Sequence, residues 1–282
     1  MSPSAVPAAP LPAPEDVCDV IQGRSFARTE VVNCPLCARH HRPRVLRAGM
    51  GMHAVVAECR PCRIAYQSHR PSLAASIAYM DWRWASRDAY VADPEFGARR
   101  ARFQIDLVRQ QRGPATLLDF GAGTGTFVRT ATDAGYAATG IEHSPVARAE
   151  AWKRHGVPLV EEARDGYDVV TLWDVIEHLR DPIGTLAELR RRMRPDGLLF
   201  VETGNWESWS RFVEGDSWGL YLFDHQYYFS PRSLVATLRK AGFRDARLLN
   251  PHHARPWWAK DRWSYRLTAP WRTILLVSAR AS

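Results

Sequence analysis

The sequence predicts an α/β fold, a doubly wound seven-stranded sheet wrapped by helices, with a small metal-binding module ahead of it. Three observations support this prediction. Short apolar runs alternate with helical segments after residue 113, a glycine-rich turn follows the first run, and four cysteines form two close pairs before residue 71. At 282 residues and 46% hydrophobic composition, the chain can bury one such core and still hold an accessory module.

The predicted strands are the short apolar runs in the second part of the chain. They cover residues 116–120, 137–142, 158–160, 168–173, 198–203, 244–249 and 273–278. Ser144, Asp181 and Ser230 each stand directly before a proline, which is the arrangement of a capping side chain followed by a first-turn proline. We therefore expect a helix to begin at each of these three positions.

The chain divides into four predicted segments. Residues 1–23 are expected to be a disordered tail, residues 24–71 hold the paired cysteines, and residues 72–112 form a helical bridge rich in aromatic side chains. Residues 113–282 form the α/β domain, with an aromatic insertion at about 204–229 expected to act as a lid. The tail lacks the basic start and apolar run of a signal peptide, so we expect a soluble cytoplasmic protein without a membrane span.

The positive charge is concentrated in the first half of the chain. Residues 24–112 contain 16 arginines and 7 acidic residues, an excess of +9 against +8 for the whole chain. Such a stretch is suited to an anionic partner, such as RNA, a nucleotide-sugar or a carrier protein. Alternatively, arginine simply solvates the surface, since the chain contains only three lysines.

The four paired cysteines predict a structural zinc site. Cys34 with Cys37 and Cys59 with Cys62 form two C-x2-C pairs separated by 21 residues, a spacing typical of two turns that hold one tetrahedral zinc. Four thiolates close the coordination shell and exclude water. Disulfides are the competing explanation, but they are disfavoured in a cytoplasmic protein.

The glycine-rich turn predicts a ligand that is not a phosphate. Asp119 ends an apolar strand and begins the pattern D-x-G-x-G-x-G, in which Gly121, Gly123 and Gly125 lead into a helix. A carboxylate beside the turn repels phosphate but attracts a cation such as an amino group. Glu142 ends the next strand, where an acidic side chain can accept both hydroxyls of a ribose. The pattern therefore indicates a ligand that carries a ribose and a cationic amino acid.

These motifs, together with segments 172–179 and 194–199, resemble the class I S-adenosylmethionine-dependent methyltransferases, which have a Rossmann-like fold; the resemblance covers roughly residues 115–243. It implies S-adenosylmethionine as cofactor, with Asp119 and the glycine turn at its methionine part, Glu142 at its ribose and Trp173 along it. The cofactor site implied in this way comprises Asp119, Phe120, Gly121, Ala122, Gly123, Gly125, Glu142, His143, Trp173 and Asp174.

Two histidines are candidates for the base that deprotonates the acceptor of the methyl group. His178 follows the fourth predicted strand, and His225 follows the aromatic insertion. Glu177 and Asp224, which directly precede them, are the expected orienting carboxylates, while Tyr221 is a candidate assisting tyrosine. Alternatively, His178 caps a helix and the aromatics are core.

The zinc pairs, Glu177-His178 and the H-x-x-Y-F-S element that begins at His225 resemble a group that includes the deoxysugar C-methyltransferases of natural-product pathways. In those enzymes the proposed base is the histidine of E-H-x-x-Y-F-S, assisted by a nearby tyrosine. Here Asp224 replaces the glutamate, Leu222 stands where that tyrosine is expected, and Arg63 replaces a glycine after the second cysteine pair. The resemblance implies a small-molecule acceptor, free or linked to a carrier or nucleotide, methylated on O, N or C.

Two other functions remain open from the sequence. One is an rRNA or tRNA methyltransferase whose basic zinc module binds RNA, which would show a steep salt dependence. The other is a non-catalytic zinc-ribbon interaction protein that retains the fold. The intact Asp119, glycine turn and Glu142 argue against the second.

Overall fold

The computed structural model describes residues 12–21, 24–47, 52–85, 94–162, 164–249 and 274–281, and its elements are numbered along the chain. The strands are β1 Cys18–Ile21, β2 Arg24–Ala27, β3 Glu30–Val31, β4 Pro43–Arg47, β5 His53–Cys59, β6 Ile64–Gln67, β7 His69–Arg70, β8 Thr116–Phe120, β9 Ala137–Ile141, β10 Tyr167–Trp173, β11 Met193–Gly204, β12 Tyr227–Phe229, β13 Arg244–Leu248 and β14 Ile274–Arg280. The helices are α1 Leu73–Ala85, α2 Pro94–Arg109, α3 Thr126–Asp133, α4 Pro145–His155, α5 Pro182–Arg191, α6 Trp209–Glu214 and α7 Pro231–Lys240.

The larger sheet has the order β13-β14-β11-β10-β8-β9. Strands β9, β8, β10 and β11 are parallel, and β14 and β13 each pair antiparallel with their neighbours. The expected seven-stranded sheet therefore has six strands within the described residues. The predicted strand at 158–160 is reduced to one parallel bridge between Ile141 and Val160. Pro158 has no N–H to donate to a neighbouring strand, and the chain bends at the exposed Glu161.

Helices cover both faces of this sheet. On one face α2 and α3 pack Phe103, Leu107 and Phe127 against strand residues, and on the other α5 and α7 contribute Leu186 and Leu234 to a second cluster. The three predicted helix starts are confirmed, since the side chains of Ser144, Asp181 and Ser230 each accept a backbone N–H in the first turn. The parallel strands consequently end at one edge, where a ligand site is expected.

The N-terminal sheet has the order β12-β6-β5-β4 and is antiparallel throughout. Its fourth strand, β12, lies in the chain between β11 and β13 of the larger sheet. Tyr227 pairs with Tyr66 and Phe229 pairs with Ile64. The cysteine-bearing module and the α/β domain therefore share backbone hydrogen bonds. They also share one apolar cluster, which includes Cys34 and Cys59 together with Leu234 of α7.

Part of the segment expected to be a disordered tail is ordered. Residues 12–21 contain β1, which pairs with β2, and Asp19 in β1 forms a buried ion pair with Arg28. The buried charge of Asp19 is tolerated because Arg28 pairs with it. The alanine- and proline-rich composition of residues 1–16 gives no sign of this pair. Residues 1–11 and 22–23 of that prediction lie outside the described residues. Within the described part of the chain, no helix is both long enough and apolar enough to cross a membrane.

The aromatic insertion divides into a buried part and an exposed part. Trp206, Trp218 and Tyr221 are buried in a cluster with residues of the N-terminal sheet, among them Leu46. The short helix α6 instead carries exposed aromatics, whose rings stack on each other. The buried part of the predicted lid therefore packs against the N-terminal sheet.

Candidate active site

The glycine turn lies between β8 and α3 at the carboxyl edge of the parallel strands. Gly121 and Gly123 have positive φ values of 78° and 53°, and a Cβ built on Gly121 would lie 2.6 Å from Cγ2 of Val175. A Cβ on Gly123 would lie 2.9 Å from the ring of Trp84, which belongs to α1. The turn thus requires glycine for both its backbone conformation and its close neighbours.

Asp119 is a buried carboxylate beside this turn. Oδ1 of Asp119 accepts a hydrogen bond from the Thr171 hydroxyl at 2.7 Å, and within the described residues no cationic side chain forms an ion pair with it. Burial raises the pKa of Asp119 to about 7, while the Thr171 hydrogen bond acts in the opposite direction. A cation placed next to this carboxylate would relieve the cost of its burial, so the position is suited to an ammonium group.

Glu142 is held by the backbone at the start of α4. Its two carboxylate oxygens accept from the N–H groups of Gly123 at 2.9 Å and Ser144 at 2.8 Å, which aligns the carboxylate with the glycine turn. Burial raises the pKa of Glu142, and these two hydrogen bonds oppose that rise. Asp81 of α1 accepts from the Ser144 hydroxyl at 2.8 Å, so α1 closes this side of the site.

The other predicted cofactor residues lie around the same edge but in different surroundings. Phe120 and His143 have ring centroids 6.4 Å apart, and Ala122 is buried beside Val128. Trp173 packs edge-on against Phe127 in the core, with centroids 5.2 Å apart. Its ring is therefore a wall beneath the site.

Asp174 marks the end of β10 and adopts a positive φ of 54°, which is uncommon for a residue with a side chain. Arg100 of α2 donates to Asp174 at 2.5 Å and also pairs with the buried Glu202 at the end of β11. Burial raises the pKa of Glu202, and Arg100 opposes this. Arg100 therefore neutralises the carboxylates at the ends of two adjacent strands.

The four predicted acid–base residues come together, although their elements are far apart in sequence. The rings of His178 and His225 have centroids 4.7 Å apart. His178 Nδ1 lies 3.3 Å from Oδ2 of Asp224, and the same oxygen accepts from Arg83 of α1 at 3.2 Å. Ligand atoms of Glu177, His178 and His225 all lie within 4.8 Å of one another. Since α1 contacts both this cluster and the glycine turn, the two halves of the site adjoin.

Electrostatics within the cluster separate the charged groups from the neutral ones. Burial alone would raise the pKa of Asp224, but His178 and Arg83 hold it below its usual value. Burial and the nearby Asp174 raise the pKa of Glu177 well above its usual value. Burial and the neighbouring His178 lower the pKa of His225 to about 3. Burial and His178 therefore favour the neutral imidazole of His225, which is the form of a histidine that can accept a proton.

The lowered pKa of His225 predicts a specific loss of stability in acid. In the unfolded chain the imidazole takes up a proton as the pH falls below about 6.5, whereas in the folded chain it does so only near 3. Stability from this group is thus complete above pH 6.5 and falls as the pH drops from 6.5 towards 3. We expect His225→Gln to flatten this part of the unfolding free energy against pH, measured by urea denaturation. An acid slope equal to that of the wild type would contradict the assignment.

Tyr221 belongs to the buried aromatic cluster of the insertion. Its ring packs against Trp206, Trp218 and Tyr228, and burial raises its pKa. The tyrosine ring recorded next to His225 is that of Tyr228, with centroids 6.3 Å apart. An assisting role for Tyr221 remains a prediction, and within the described contacts Tyr228 stands between it and His225.

The four paired cysteines converge at the ends of β5 and β6. Their sulfur atoms all lie within 4.8 Å of one another, and the Cys37 and Cys59 Sγ atoms are 3.7 Å apart. A zinc–sulfur bond of about 2.3 Å gives tetrahedral edges of about 3.8 Å, so the donor set fits zinc. Ala38 and Arg63, each directly after a cysteine pair, have φ of 58° and 54°. A left-handed backbone conformation favours glycine, which accounts for the glycine expected at the position of Arg63.

Several contributors to the site were missed by sequence reasoning. Arg83, Arg100 and Glu202 carry its ion pairs, and Gln67 reaches the backbone of the loop that holds His225. For Arg83 and Arg100, the only indication of a role in the site was the aromatic and basic composition of residues 72–112. That segment was predicted to be a helical bridge. Their partners lie 74 to 141 residues away in sequence, so periodicity could not identify them.

Comparisons with known proteins agree with this geometry. The family model described as a methyltransferase domain matches residues 95–248. A ubiquinone biosynthesis O-methyltransferase from Aromatoleum aromaticum is 29% identical over 168 residues, covering 52% of this chain and 72% of that protein. A tRNA U34 carboxymethyltransferase from Chromohalobacter salexigens is 30% identical over 117 residues, covering 37% of this chain and 33% of that protein. The solved structure of a SAM-dependent methyltransferase from Archaeoglobus fulgidus has a TM-score of 0.52 at 16% identity, covering 72% of this chain and 99% of that one.

Proposed function

Since the chain belongs to the methyltransferase domain family, we propose that it transfers the methyl group of S-adenosylmethionine to a small-molecule acceptor whose O, N or C nucleophile is deprotonated with the help of a histidine. The observation that carries the proposal is the contact of α1 with both halves of the site. Trp84 lies on the glycine turn, and Arg83 pairs with Asp224 beside the two histidines. Cofactor residues and a proton acceptor therefore adjoin at one sheet edge.

The chain's own residues account for cofactor binding and orientation. We propose that Asp119 pairs with the ammonium group of the methionine part and that Glu142 accepts from ribose hydroxyls. When bound, the cofactor supplies an electrophilic methyl group on a sulfonium. Methyl transfer is an in-line displacement, so the rest of the site must orient the acceptor and exclude water. The buried surroundings of His225 and the packing of α1 over the turn serve both needs.

We assign the proton step to His225. It is 7% exposed and unprotonated, and it lies against His178, which Asp224 orients through Nδ1. In this arrangement His225 is the proposed base and His178 its neighbour. Arg83 pairs with Asp224 and favours its charged form. Burial and Asp174 raise the pKa of Glu177 well above its usual value, which favours its neutral form, and its expected role in orienting His178 stays a prediction.

Support for a small-molecule acceptor comes from the ubiquinone biosynthesis relative and from the resemblance of the zinc pairs and the element at His225 to the deoxysugar C-methyltransferases. We propose that the acceptor belongs to specialised metabolism and is free or linked to a carrier or nucleotide. Incubation of the protein with labelled S-adenosylmethionine and candidate acceptors, followed by mass spectrometry of the products, tests this directly. Methylation of RNA alone, with no small-molecule product, would overturn the acceptor class.

The tRNA relative and the exposed arginines of the cysteine module keep RNA as the second candidate acceptor. Arg39, Arg42 and Arg60 are exposed on or beside the two cysteine turns. An RNA enzyme should bind RNA with a steep salt dependence, because each phosphate contact releases counterions. Absence of RNA retention at low salt would exclude this alternative.

The glycine turn provides a test of cofactor binding that does not need the acceptor. We expect Gly121→Ala to weaken S-adenosylmethionine binding by at least about tenfold, measured by calorimetry, since the new methyl group meets Val175 and the positive φ costs about 1–2 kcal/mol. Gly156→Ala is the matched control: its φ is 63° with nothing within 4 Å of the added Cβ. It should lower stability by a similar strain but leave cofactor affinity unchanged. Equal affinities for all three proteins would contradict the assigned site.

A further inference from the structure

A buried polar chain runs from the N-terminal segment towards the loop that carries His225. Arg28 Nη2 donates to Oδ2 of Asp19 at 2.9 Å, and neither side chain is exposed. The same guanidinium donates to the His53 carbonyl at 2.6 Å and, through Nη1, to Oε1 of Gln67. The charge of Arg28 is paired with Asp19 and both of its terminal nitrogens bind acceptors, while its Nε has no hydrogen-bond partner among the described residues. A buried arginine is costly unless its charge is paired, so this chain is a built feature of the module.

Gln67 joins this chain to the loop of residues 222–226, which carries His225. Its Nε2 donates to the carbonyl oxygens of His225 at 2.7 Å and Leu222 at 2.9 Å. Arginine has donors and no acceptor, so the amide oxygen of Gln67 must face Arg28 and its nitrogen must face the loop. The orientation of the amide is therefore set by chemistry.

The backbone around His225 is anchored to the same strand. The N–H of Gln67 donates to the Gln226 carbonyl at 2.9 Å, and β12 continues the pairing with β6. The Arg28 guanidinium also lies 5.0 Å from the ring centroid of Phe223. Residues 222–226 are thus anchored to the cysteine-bearing module on one side, while Glu177 and His178 contact the same loop on the other.

We propose that Gln67 is a positioning residue for the methyl transfer, and that Arg28 and Asp19 fix it so that the His225 ring faces the acceptor. The inference rests on the proposed role of His225. Displacement of a reacting group by about 1 Å can lower a rate about a hundredfold, so a hydrogen bond to the carbonyl of the base itself bears on turnover. This gives the N-terminal module a part in catalysis besides folding.

The test uses Gln67→Glu in the full-length, zinc-loaded protein saturated with S-adenosylhomocysteine. The variant keeps the side-chain shape and gives Arg28 a charged partner, but it replaces the donor to His225 and Leu222 by an oxygen. We expect the ring ¹⁵N resonances of His225, identified by their loss in His225→Gln, to shift, while cofactor affinity and zinc content stay at wild-type values. With an identified acceptor, kcat should fall about tenfold or more with an unchanged KM for the cofactor.

Ser68→Ala is the matched control, because Ser68 is equally buried at the adjoining position and, among the described residues, its hydroxyl contacts His69. It should leave the His225 resonances in place. A lowered melting temperature of Gln67→Glu without any shift at His225 would show a merely structural role and overturn the inference. If Gln67→Glu does not fold, Asp19→Asn provides the second variant, with the same expected shift and the same contrary result.

The two proposals fail in different ways. If His225→Ala retains turnover, the base assignment fails whatever Gln67 does. If the His225 resonances do not respond to Gln67→Glu, the positioning role fails whatever the base is.

Discussion

His225→Ala is expected to remove most of the methyl transfer activity while leaving S-adenosylmethionine affinity nearly unchanged. General base catalysis contributes about 10²- to 10⁴-fold to a rate, and a loss of that size in kcat is expected here. The cofactor residues Asp119 and Glu142 contact the glycine turn and Thr171, not His225, so binding should survive. Single-turnover kinetics with an identified acceptor and calorimetry with the cofactor provide the two measurements.

Two further variants make this result specific. His69→Ala removes a half-buried histidine whose ring nitrogen contacts the Ser68 hydroxyl, and it should retain a wild-type rate. His178→Ala should have a smaller effect than His225→Ala, because it removes the neighbour that links the base to Asp224. A near wild-type rate for His225→Ala would refute the assignment, and a complete loss only in His178→Ala would transfer the role to His178.

The double substitution Cys59→Ser with Cys62→Ser is expected to abolish zinc binding and to unfold the N-terminal sheet. The proposed structural zinc joins the end of β5 to the start of β6, and binding of structural zinc is worth about 10–16 kcal/mol in small domains. Because Cys34 and Cys59 belong to the same apolar cluster as α7, we expect the melting temperature of the whole protein to fall as well. Metal analysis and thermal denaturation measure the two effects.

The exposed Cys18 provides the control for the zinc prediction. It lies outside the four-cysteine cluster, so Cys18→Ser should retain one zinc per chain and the wild-type melting temperature. Absence of metal from pure wild-type protein would contradict the zinc site. Retention of zinc in the double variant would show that two of the four assigned ligands are not needed.

The features that were predicted well from sequence are local ones. The glycine turn joins a strand to a helix within ten residues, and the caps at Ser144, Asp181 and Ser230 act within one turn, so neighbouring residues specify them. The pairing of the cysteines is likewise visible in their spacing. The sequence analysis offered His178 and His225 as two separate candidates for the base, and the contact between their rings is a finding of the structure.

The features that were missed depend on contacts between distant parts of the chain. The strand predicted at 158–160 has an apolar pattern, but Pro158 and the exposed turn after it leave only one bridge. In the sequence, nothing distinguishes Arg100 from the other arginines. In the structure, α2 places it beside Asp174 and Glu202. The short strand β12 has three residues, too few to specify a partner, and its partner β6 lies about 160 residues earlier in the chain.

The position of β12 has a consequence for how this architecture can be divided or recombined. A protein cut after residue 71 would keep the cysteines but lose the neighbour of β6, leaving Ile64, Ala65 and Tyr66, all buried in the intact protein, on an open sheet edge. Such edges pair with other chains and promote aggregation. Transfer of the cysteine module to another catalytic domain would therefore require that domain to supply a strand that matches β6.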